Sequence, residues 1–358
     1  ILMHPKVWEA SGHIAGFSDP LVDCKKCKQR FREDKIPEAN RASKKCPDCG
    51  GELTKPRQFN LLAETHLGPV EDKSSLTYLR GETAQGIYVN YANVKATMQP
   101  TLPFGVGQIG KAFRNEITPG HFTYRMREFE QMEQQYFVHP DEAQKYFSSW
   151  KEERMNWYIN LGIKKEHLRF RPHAKDELAH YARAAEDIEY QFPFGWHEIE
   201  GIHNRGDWDL SRHSKFSGQD LSETDANGKK FYPYIIETSA GLDRAALVFL
   251  IDAYEEVIGG RTTTTKSTKE REVVLHFDKR LAPYKVAVLP LSKKESLIAI
   301  DKDIHGNLRR AGIVSDYDET QSIGRRYRRQ DEIGTPFCIT VDFESLERND
   351  VTVRDRDT

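Results

Sequence analysis

The chain has 358 residues, of which 38% are hydrophobic and 30% charged, and its formal net charge at pH 7 is −2. This composition indicates folded globular protein of about two or three domains and excludes a largely disordered chain. The near-neutral net charge argues against bulk electrostatic attraction to nucleic acid. The sequence has no apolar run of ~18 residues, which argues against a membrane span, and its first ten residues are too polar for a signal peptide. A cytoplasmic protein is therefore expected.

The first half of the chain is predicted to be rich in strands. Residues 1–57 read as loops that carry cysteine pairs. Residues 58–135 alternate short apolar runs with Gly and Pro, as strands and turns do, in the segments FNLLAETHLG, TYLRGETAQGIYVNY, FGVGQIGKAFRNEI and REFEQMEQQYFV. Residues 140–161 have apolar positions at helical spacing and are bounded by Pro140 and Gly162. Two further strands are expected at HEIEGIH and FYPYIIETSAG, followed directly by an apolar helix at LDRAALVFLIDAYEEV.

The composition then changes. Residues 258–272 (IGGRTTTTKSTKERE) are polar and low in complexity, which predicts a linker or mobile loop between a domain at 1–257 and a domain at 273–358. After this segment, KVAVLPL, FCITVDF and VTVRDRD read as strands and SIGRRYRRQDEIG as a basic helix. Strands that alternate with helices predict a small α/β domain.

Four of the five cysteines form two tight pairs. Cys24 and Cys27 are followed, after 18 residues, by Cys46 and Cys49, which fits the two-knuckle zinc pattern. We therefore expect a zinc-binding insertion at about 20–57. A site closed by four thiolates leaves no open coordination position, so this zinc is expected to be structural. Cys338 lies in an apolar strand and is expected in the core.

Two polar segments joined by a Pro-Gly turn are the most informative feature of the sequence. They are FRNE at 113–116 and RMREFEQME at 125–133. Alternate residues of a strand share a face, so Phe129, Gln131 and Glu133 would point one way and Glu128 and Glu130 the other. Such a face offers a guanidinium for phosphate, a ring for a base, and carboxylates for an amine or metal. A solvated strand face with scattered ion pairs is the alternative interpretation.

These segments resemble motif 2 of class II aminoacyl-tRNA synthetases, and GLDR at 241–244 resembles motif 3. Together, RGETAQG, FRNEITP, REFEQME and ETSAGLDRAAL resemble bacterial homodimeric glycyl-tRNA synthetases, and the C-terminal segments resemble that family's anticodon-binding domain. The resemblance implies an α/β fold: an antiparallel sheet flanked by helices at 1–257, the zinc-binding insertion, and a mixed α/β anticodon-binding domain with a mostly parallel sheet at 273–358.

The resemblance also implies residue roles in binding ATP. Arg114 would grip the α-phosphate, Phe129 and Arg244 would sandwich the adenine ring, and Glu116 would accept from its amino group. Glu198 would bind Mg²⁺. We expect both arginines to be catalytic, and the full expected ATP site comprises Arg114, Asn115, Glu116, Tyr124, Arg125, Phe129, Glu198, Ile199, Gly241 and Arg244.

For glycine, the resemblance implies acidic groups around the ammonium, Arg205 at the carboxylate, and walls that leave no room for a side chain. The expected glycine site comprises Glu82, Phe129, Gln131, Glu133, Arg205, Glu237 and Ser239. tRNA(Gly) is the expected second substrate, with arginines of the basic helix at its phosphates and no editing domain. The family's N-terminal dimer motif and last helix are expected to lie outside this sequence, so a homodimer is implied only by resemblance.

Other interpretations stay open. The chain could be a class II synthetase for threonine, proline or serine, but the acidic and apolar residues of GETAQG and FEQME disfavour this. It could instead be a non-catalytic, synthetase-like nucleic-acid-binding subunit, although such a protein should have lost Arg114, Phe129 or Arg244. A simple zinc-ribbon module would account only for the first sixth of the chain.

Overall fold

A computed structural model describes most of the chain as two compact units. The boundary between them runs through two helices. Within the described part of the chain, none of the helices combines the length and the apolar character that a membrane span requires. The described residues are 1–179, 181–259, 261 and 271–358; the first unit comprises Ile1–Met155 and Leu168–Leu247, and the second comprises Asn156–His167 and Val248–Thr358.

Strands and helices are numbered here in chain order. The strands up to the end of the first unit are β1 (Leu2–Met3), β2 (Ser18–Asp23), β3 (Arg30–Arg32), β4 (Arg57–Asn60), β5 (Ala63–His66), β6 (Leu76–Leu79), β7 (Phe104–Phe113), β8 (Glu128–Val138), β9 (Leu168–Pro172), β10 (Ala184–Phe192), β11 (Gly195–Gly206), β12 (Glu223–Thr224), β13 (Lys230–Phe231) and β14 (Tyr234–Gly241). The helices over the same stretch are α1 (Pro5–Ser11), α2 (His13–Gly16), α3 (Glu38–Ser43), α4 (Ala84–Val89), α5 (Tyr91–Met98), α6 (Ala143–Asn160), α7 (Trp208–Ser217) and α8 (Leu242–Ala253). The remaining elements are β15 (Tyr254–Ile258), β16 (Arg271–Leu275), β17 (Val286–Pro290), α9 (Glu295–Arg310), β18 (Ser315–Tyr317), α10 (Ile323–Glu332), β19 (Phe337–Val341), α11 (Ser345–Arg348) and β20 (Thr352–Asp355).

The first unit is built on a six-stranded sheet in the order β7-β8-β14-β11-β10-β9. Every neighbouring pair in it is antiparallel, which confirms the predicted antiparallel sheet. Along β8, Gln131, Glu133 and Gln135 are buried while the residues between them are half-buried. The predicted alternation of faces on this strand is therefore confirmed, and its polar face is the enclosed one.

Helices α4, α5 and α7 contribute an apolar cluster beside this sheet. Tyr88, Tyr91, Phe137, Leu210 and Ile235 are all buried in it. Burying each large apolar side chain stabilises the fold by ~1.5–3 kcal/mol, so this cluster fixes the loop before α4 relative to the sheet. That loop carries one of the expected glycine-site carboxylates.

Two sequence predictions of secondary structure are wrong in part. The segment TYLRGETAQGIYVNY (77–91) is predicted as strand and turn, but from residue 84 onwards it forms α4 and the start of α5, because Ala84, Ile87, Tyr88 and Tyr91 recur at helical spacing and bury one face. The apolar helix predicted over 242–257 ends at Ala253. The following segment, β15, is an antiparallel partner of β16 instead.

The predicted linker at 258–272 falls mainly on residues 260 and 262–270, which lie outside the described residues. Its ends belong to the ladder between β15 and β16, where Ile258 pairs with Arg271. The division of the chain into a domain at 1–257 and a domain at 273–358 stays a prediction.

The C-terminal part of the second unit has a four-stranded sheet in the order β18-β17-β19-β20. The first two pairings are parallel and the third is antiparallel, which confirms the predicted mixed α/β domain with a mostly parallel sheet.

The basic helix α10 does not offer four arginines to a phosphate backbone as expected. Arg326 and Arg328 are buried. Arg326 donates to the Pro290 carbonyl, and Arg328 lies 3.5 Å from Glu272. Burial and internal contacts engage these side chains within the unit, so they cannot contact RNA as a basic face would, although the buried Nε of Arg326 has no hydrogen-bond partner among the described residues. The other two behave differently: Arg329 pairs with Asp318, and Arg325 is exposed.

Candidate active site

The floor of the candidate site is a patch of the central sheet in which neighbouring strands set functional groups side by side. Ser239 on β14 stands opposite Glu133 on β8 and opposite Gly201 on β11. Two residues further along, Glu237 stands opposite Gln135 and His203 in the same way. Because side chains two apart on a strand share a face, the ladder places these groups on one surface.

Three buried carboxylates meet at this surface: Glu82, Glu133 and Glu237. Glu82 lies in the loop before α4, 3.2 Å from Nε2 of His13, and accepts from Nε2 of Gln85 at 2.8 Å. An imidazole and an amide donor therefore face Glu82, as expected for a buried carboxylate.

Glu237 faces two basic side chains and one neutral donor. Nη1 of Arg205 donates to it at 2.8 Å, Nε2 of Gln135 donates at 2.8 Å, and Nδ1 of His203 lies 3.0 Å away. Burial alone would raise the pKa of Glu237, but the charges of Arg205 and His203 outweigh burial and lower it. The same interaction raises the pKa of His203, against the effect of burial.

Glu133 differs from the other two carboxylates because its hydrogen-bond partners are neutral. The Thr83 hydroxyl donates to it, the Ser239 hydroxyl donates at 2.7 Å, and Nε2 of Gln131 donates at 3.2 Å. Burial, together with the charges of Glu237 and Glu82, raises the pKa of Glu133 to about 7. At neutral pH a proton therefore competes with any other cation for this carboxylate.

Arg205 was expected to bind the glycine carboxylate, but its guanidinium lies behind the pocket wall. Nε and Nη2 of Arg205 donate to Asp209 at 2.7 and 3.1 Å, and Nη1 of Arg205 donates to Glu237. The ring of Tyr181 covers one face, 3.8 Å from Cζ. With three of its donors bonded to carboxylates and its side chain fully buried, Arg205 holds Glu237 in place in this structure.

A cavity of about 760 Å³ lies above the three carboxylates. Its lining includes Glu82, Glu133, Glu237, Ser239 and, from the N-terminal segment, His13. Gly201 forms part of its floor, where a Cβ would come within 2.6 Å of the His203 ring. A side chain at this position would displace His203 from Glu237.

A second cavity contains most of the residues expected to bind ATP. Arg114 is placed with its guanidinium over the Phe129 ring, 5.4 Å from the ring centre. Arg244 lies over the Tyr124 ring at 4.2 Å and donates to the Glu198 carbonyl at 2.9 Å. The expected residues that line this cavity are Arg114, Glu116, Tyr124, Arg125, Phe129, Gln131, Glu198, Ser239, Gly241 and Arg244.

Some expected ATP residues are engaged or lie elsewhere. Glu116 is buried and accepts from Nη1 of Arg125 at 3.0 Å. Asn115 does not line the cavity; its side chain is exposed and its N–H donates to the Leu61 carbonyl at 2.8 Å. The side chain of Ile199 is fully buried, so only its main chain could face a ligand.

The two cavities share three lining residues: Arg114, Glu198 and Ser239. The guanidinium of Arg114 therefore stands where an occupant of one cavity would meet an occupant of the other. The side chain of Glu198 is half exposed at the same boundary, and a carboxylate there suits a hard cation such as Mg²⁺. A fixed positive charge at such a junction can stabilise negative charge that develops between two substrates.

Sequence reasoning missed His13, Asp209 and Tyr181. His13 lies in a short N-terminal segment with no clear periodicity, and Tyr181 lies in a loop. Asp209 stands only four residues after Arg205, and this closeness in sequence is the one available signal, although Arg205 lies near the end of β11 and Asp209 at the start of α7. The groups that His13 and Tyr181 face in the site, Glu82 and Arg205, are distant from them in sequence.

The four paired cysteines converge as the zinc pattern predicts. Sγ of Cys24 lies 3.5 Å from Sγ of Cys49, and Sγ of Cys27 lies 3.7 Å from Sγ of Cys46. All four ligand atoms lie within 4.8 Å of one another. A tetrahedral zinc with bonds of ~2.3 Å separates its sulfurs by about 3.8 Å, so the cluster fits that metal.

Comparison with known proteins gives consistent matches over the whole chain. Residues 69–253 match the tRNA synthetase class II core domain (G, H, P, S and T), and residues 285–358 match an anticodon binding domain. The chain is 52% identical to a glycine–tRNA ligase of Treponema denticola, with 100% of this chain and 79% of the relative covered. It is 50% identical to that of Bifidobacterium longum, covering 76% of the relative, and 51% identical to that of Clostridium acetobutylicum, covering 81%.

Proposed function

We propose, from its membership of the glycine–tRNA ligase family of class II aminoacyl-tRNA synthetases, that this chain activates glycine with ATP and transfers it to tRNA(Gly). The family follows from the matched class II core and from relatives at about half identity over the full chain. Within the site, the observation that best supports this function is that an acidic cavity and a cavity lined by arginines and aromatic rings meet at Arg114.

In the first step, a carboxylate oxygen of glycine attacks the α-phosphorus of ATP, and the bond to the departing pyrophosphate breaks. This reaction needs no protein nucleophile, because both reactants already carry the reacting groups. Holding them in line and stabilising the negative charge are sufficient contributions. Arg114 is placed for the second task, since it is shared by the two cavities.

In the nucleotide cavity, Phe129 would stack on adenine and Arg244 would cover its other face. The structure has Arg244 over Tyr124 and Arg114 over Phe129. Arg114 would therefore have to leave the Phe129 ring for adenine to stack on the face that it covers. Glu116 would face the adenine amino group, beside Arg125.

In the acidic cavity, the glycine ammonium would lie among Glu82, Glu133 and Glu237, with Ser239 beside it. Since Arg205 is engaged by Asp209 and Glu237, it would act by positioning Glu237, and the glycine carboxylate would face Arg114 at the cavity boundary. A larger amino acid would meet the floor between Ser239 and Glu133, and steric exclusion of this kind needs no editing site.

The family implies ATP and Mg²⁺ as reaction partners. Glu198 would hold the magnesium ion, which neutralises phosphate charge when bound. Zinc would be held by Cys24, Cys27, Cys46 and Cys49 as a structural ion.

The C-terminal matched domain would bind the anticodon region of tRNA(Gly). We also propose a homodimer in the cytoplasm, and a catalytic domain at 1–257 followed by the anticodon-binding domain at 273–358.

The direct test is ATP–pyrophosphate exchange by the purified protein with each of the twenty amino acids. Exchange with glycine alone, and its loss in Arg114→Ala but not in the exposed control Arg30→Ala, would support the proposal. Exchange with threonine, proline or serine would keep the class and refute the glycine pocket. Folded, zinc-loaded protein without any exchange would indicate a non-catalytic binding subunit.

A further inference from the structure

The N-terminal segment delivers a buried imidazole to the amino-acid cavity. His13 is 2% exposed and packs between Trp8 and Phe17, whose ring centres lie 5.1 and 5.0 Å from its own. Gly12, at φ +89°, makes the turn between α1 and α2 that directs this ring inward.

The backbone that carries His13 is held from two sides. Nδ2 of Asn60 donates to the His13 carbonyl at 3.1 Å and to the Ile14 carbonyl at 2.9 Å. From α7, Nε of Arg212 donates to the Ala10 carbonyl at 2.7 Å. The imidazole therefore occupies a fixed position relative to the pocket, as a residue that orients another group must.

The hydrogen-bond partners of His13 define where its protons are. The Ser11 hydroxyl donates to the Trp8 carbonyl at 3.2 Å, so its oxygen is left to accept from Nδ1 of His13 at 2.8 Å. On the other side, Nε2 lies 3.2 Å from a carboxylate oxygen of Glu82. An ionised carboxylate only accepts, so with the Ser11 proton directed at the Trp8 carbonyl each ring nitrogen of His13 faces an acceptor.

The alternative placement, with the second proton on Glu82, is disfavoured by the rest of that carboxylate's surroundings. Its other oxygen accepts from Nε2 of Gln85 at 2.8 Å and lies 3.8 Å from Nη2 of Arg205. The Gln85 donor and the Arg205 cation both stabilise the ionised form of Glu82, whatever the charge on His13.

We propose that His13 is a positioning residue held as an imidazolium, which keeps Glu82 ionised and aims it at the substrate ammonium. This inference rests on the proposed function, because it takes glycine as the occupant of the acidic cavity. It adds a fixed cation, supplied by the N-terminal segment, to the site. Each of these two carboxylates then faces a buried cation: His13 at Glu82, and Arg205 together with His203 at Glu237.

The charge of His13 is tested by NMR of the full-length protein with ¹⁵N-labelled histidine. At neutral pH the expected pattern is a ring with both nitrogens protonated whose resonances are absent from His13→Gln. His203, which faces Glu237, is told apart because its resonances remain in that variant. A second variant, Ser11→Ala, removes the group that accepts from Nδ1–H of His13 and should therefore shift only the Nδ1 resonance of that ring. It identifies the His13 resonances even if His13→Gln does not fold. A neutral tautomer at position 13 would overturn the proposal.

The positioning role is tested by glycine-dependent ATP–pyrophosphate exchange. His13→Gln keeps a donor near Glu82 without its charge, so we expect the glycine KM to rise by roughly 10- to 100-fold, as for loss of a charge-assisted contact, with the ATP KM within about twofold. His66→Gln is the control, since His66 also contacts a serine, Ser75, but is exposed. An unchanged glycine KM in His13→Gln would refute the role, whereas no glycine exchange by the wild-type protein would refute the proposed function and leave the NMR result valid.

Discussion

Glu133 makes glycine binding sensitive to pH in a direction that the structure fixes. Its pKa is raised to about 7 by burial and by the charges of Glu237 and Glu82. Below that pH the carboxylate carries a proton, and the glycine ammonium has to displace it. The apparent glycine KM should therefore rise ~10-fold from pH 8 to pH 6, since one proton competes for the site.

The same group predicts an unusual effect on stability. In the unfolded chain a glutamate titrates near 4.5, so between pH 4.5 and about 7 the folded protein binds more protons than the unfolded one. Stability contributed by this group is then present at low pH and is lost as pH rises through the folded value. A difference of about 2.5 in pKa, at 1.36 kcal/mol each, amounts to ~3 kcal/mol.

Glu133→Gln removes this penalty, because its amide stays neutral and the Thr83 and Ser239 hydroxyls can rotate to meet it. We expect the free energy of unfolding at pH 8, measured by urea denaturation, to increase by ~1–3 kcal/mol while the glycine KM rises and loses its pH dependence. The control is Glu200→Gln on the same sheet, whose carboxylate is also buried but is held by Arg154 at 2.5 and 3.0 Å, and which should destabilise the fold. A glycine KM that is flat from pH 6 to 8 in the wild type, or a Glu133→Gln protein less stable than wild type at pH 8, would refute the reasoning.

Three further predictions concern other parts of the molecule. Arg114→Ala should reduce glycine-dependent exchange by ~10²–10³-fold with little change in thermal melting, because it removes charge stabilisation at the cavity boundary; an equal loss in melting temperature would indicate a structural role. Asp209→Asn should lower the free energy of unfolding by ~2–4 kcal/mol, since it leaves Arg205 buried with one carboxylate fewer, whereas Asp207→Asn, at a half-exposed side chain on the preceding turn, should change it by less than ~0.5 kcal/mol. Cys46→Ser should abolish the zinc measured by metal analysis and lower the melting temperature, and retention of zinc would contradict the four-thiolate site.

Local sequence patterns were sufficient for much of the fold. The alternation along β8, the spacing of the cysteines and the apolar face of α8 are all set by neighbours close in sequence. The strand predicted over 84–91 was wrong for a related reason: Ala84, Ile87, Tyr88 and Tyr91 have helical spacing, but the surrounding Gly and Pro suggested turns. The end of α8 was missed because β15 is defined by its pairing with β16.

For the site, sequence motifs named the carboxylates but could not tell them apart. Glu82, Glu133 and Glu237 acquire different charges only through partners far away in the chain, such as His13 and Arg205. The burial of Arg326 and Arg328 was missed likewise, since a run of arginines gives no sign of which side of a helix faces the core. Long-range packing decides such properties, and a single sequence does not record it.

The way the pocket floor is assembled also determines which kinds of mutation it can absorb. Ser239, Glu133 and Gly201 stand in one row across three paired strands, and Glu237, Gln135 and His203 stand in the next. Loss or gain of one residue within β8 or β14 would turn every later side chain of that strand to the opposite face. Substitutions alter one contact at a time, whereas such length changes would dismantle whole rows. Variation in length should therefore accumulate in the connections between strands, while the strands themselves keep a constant residue count.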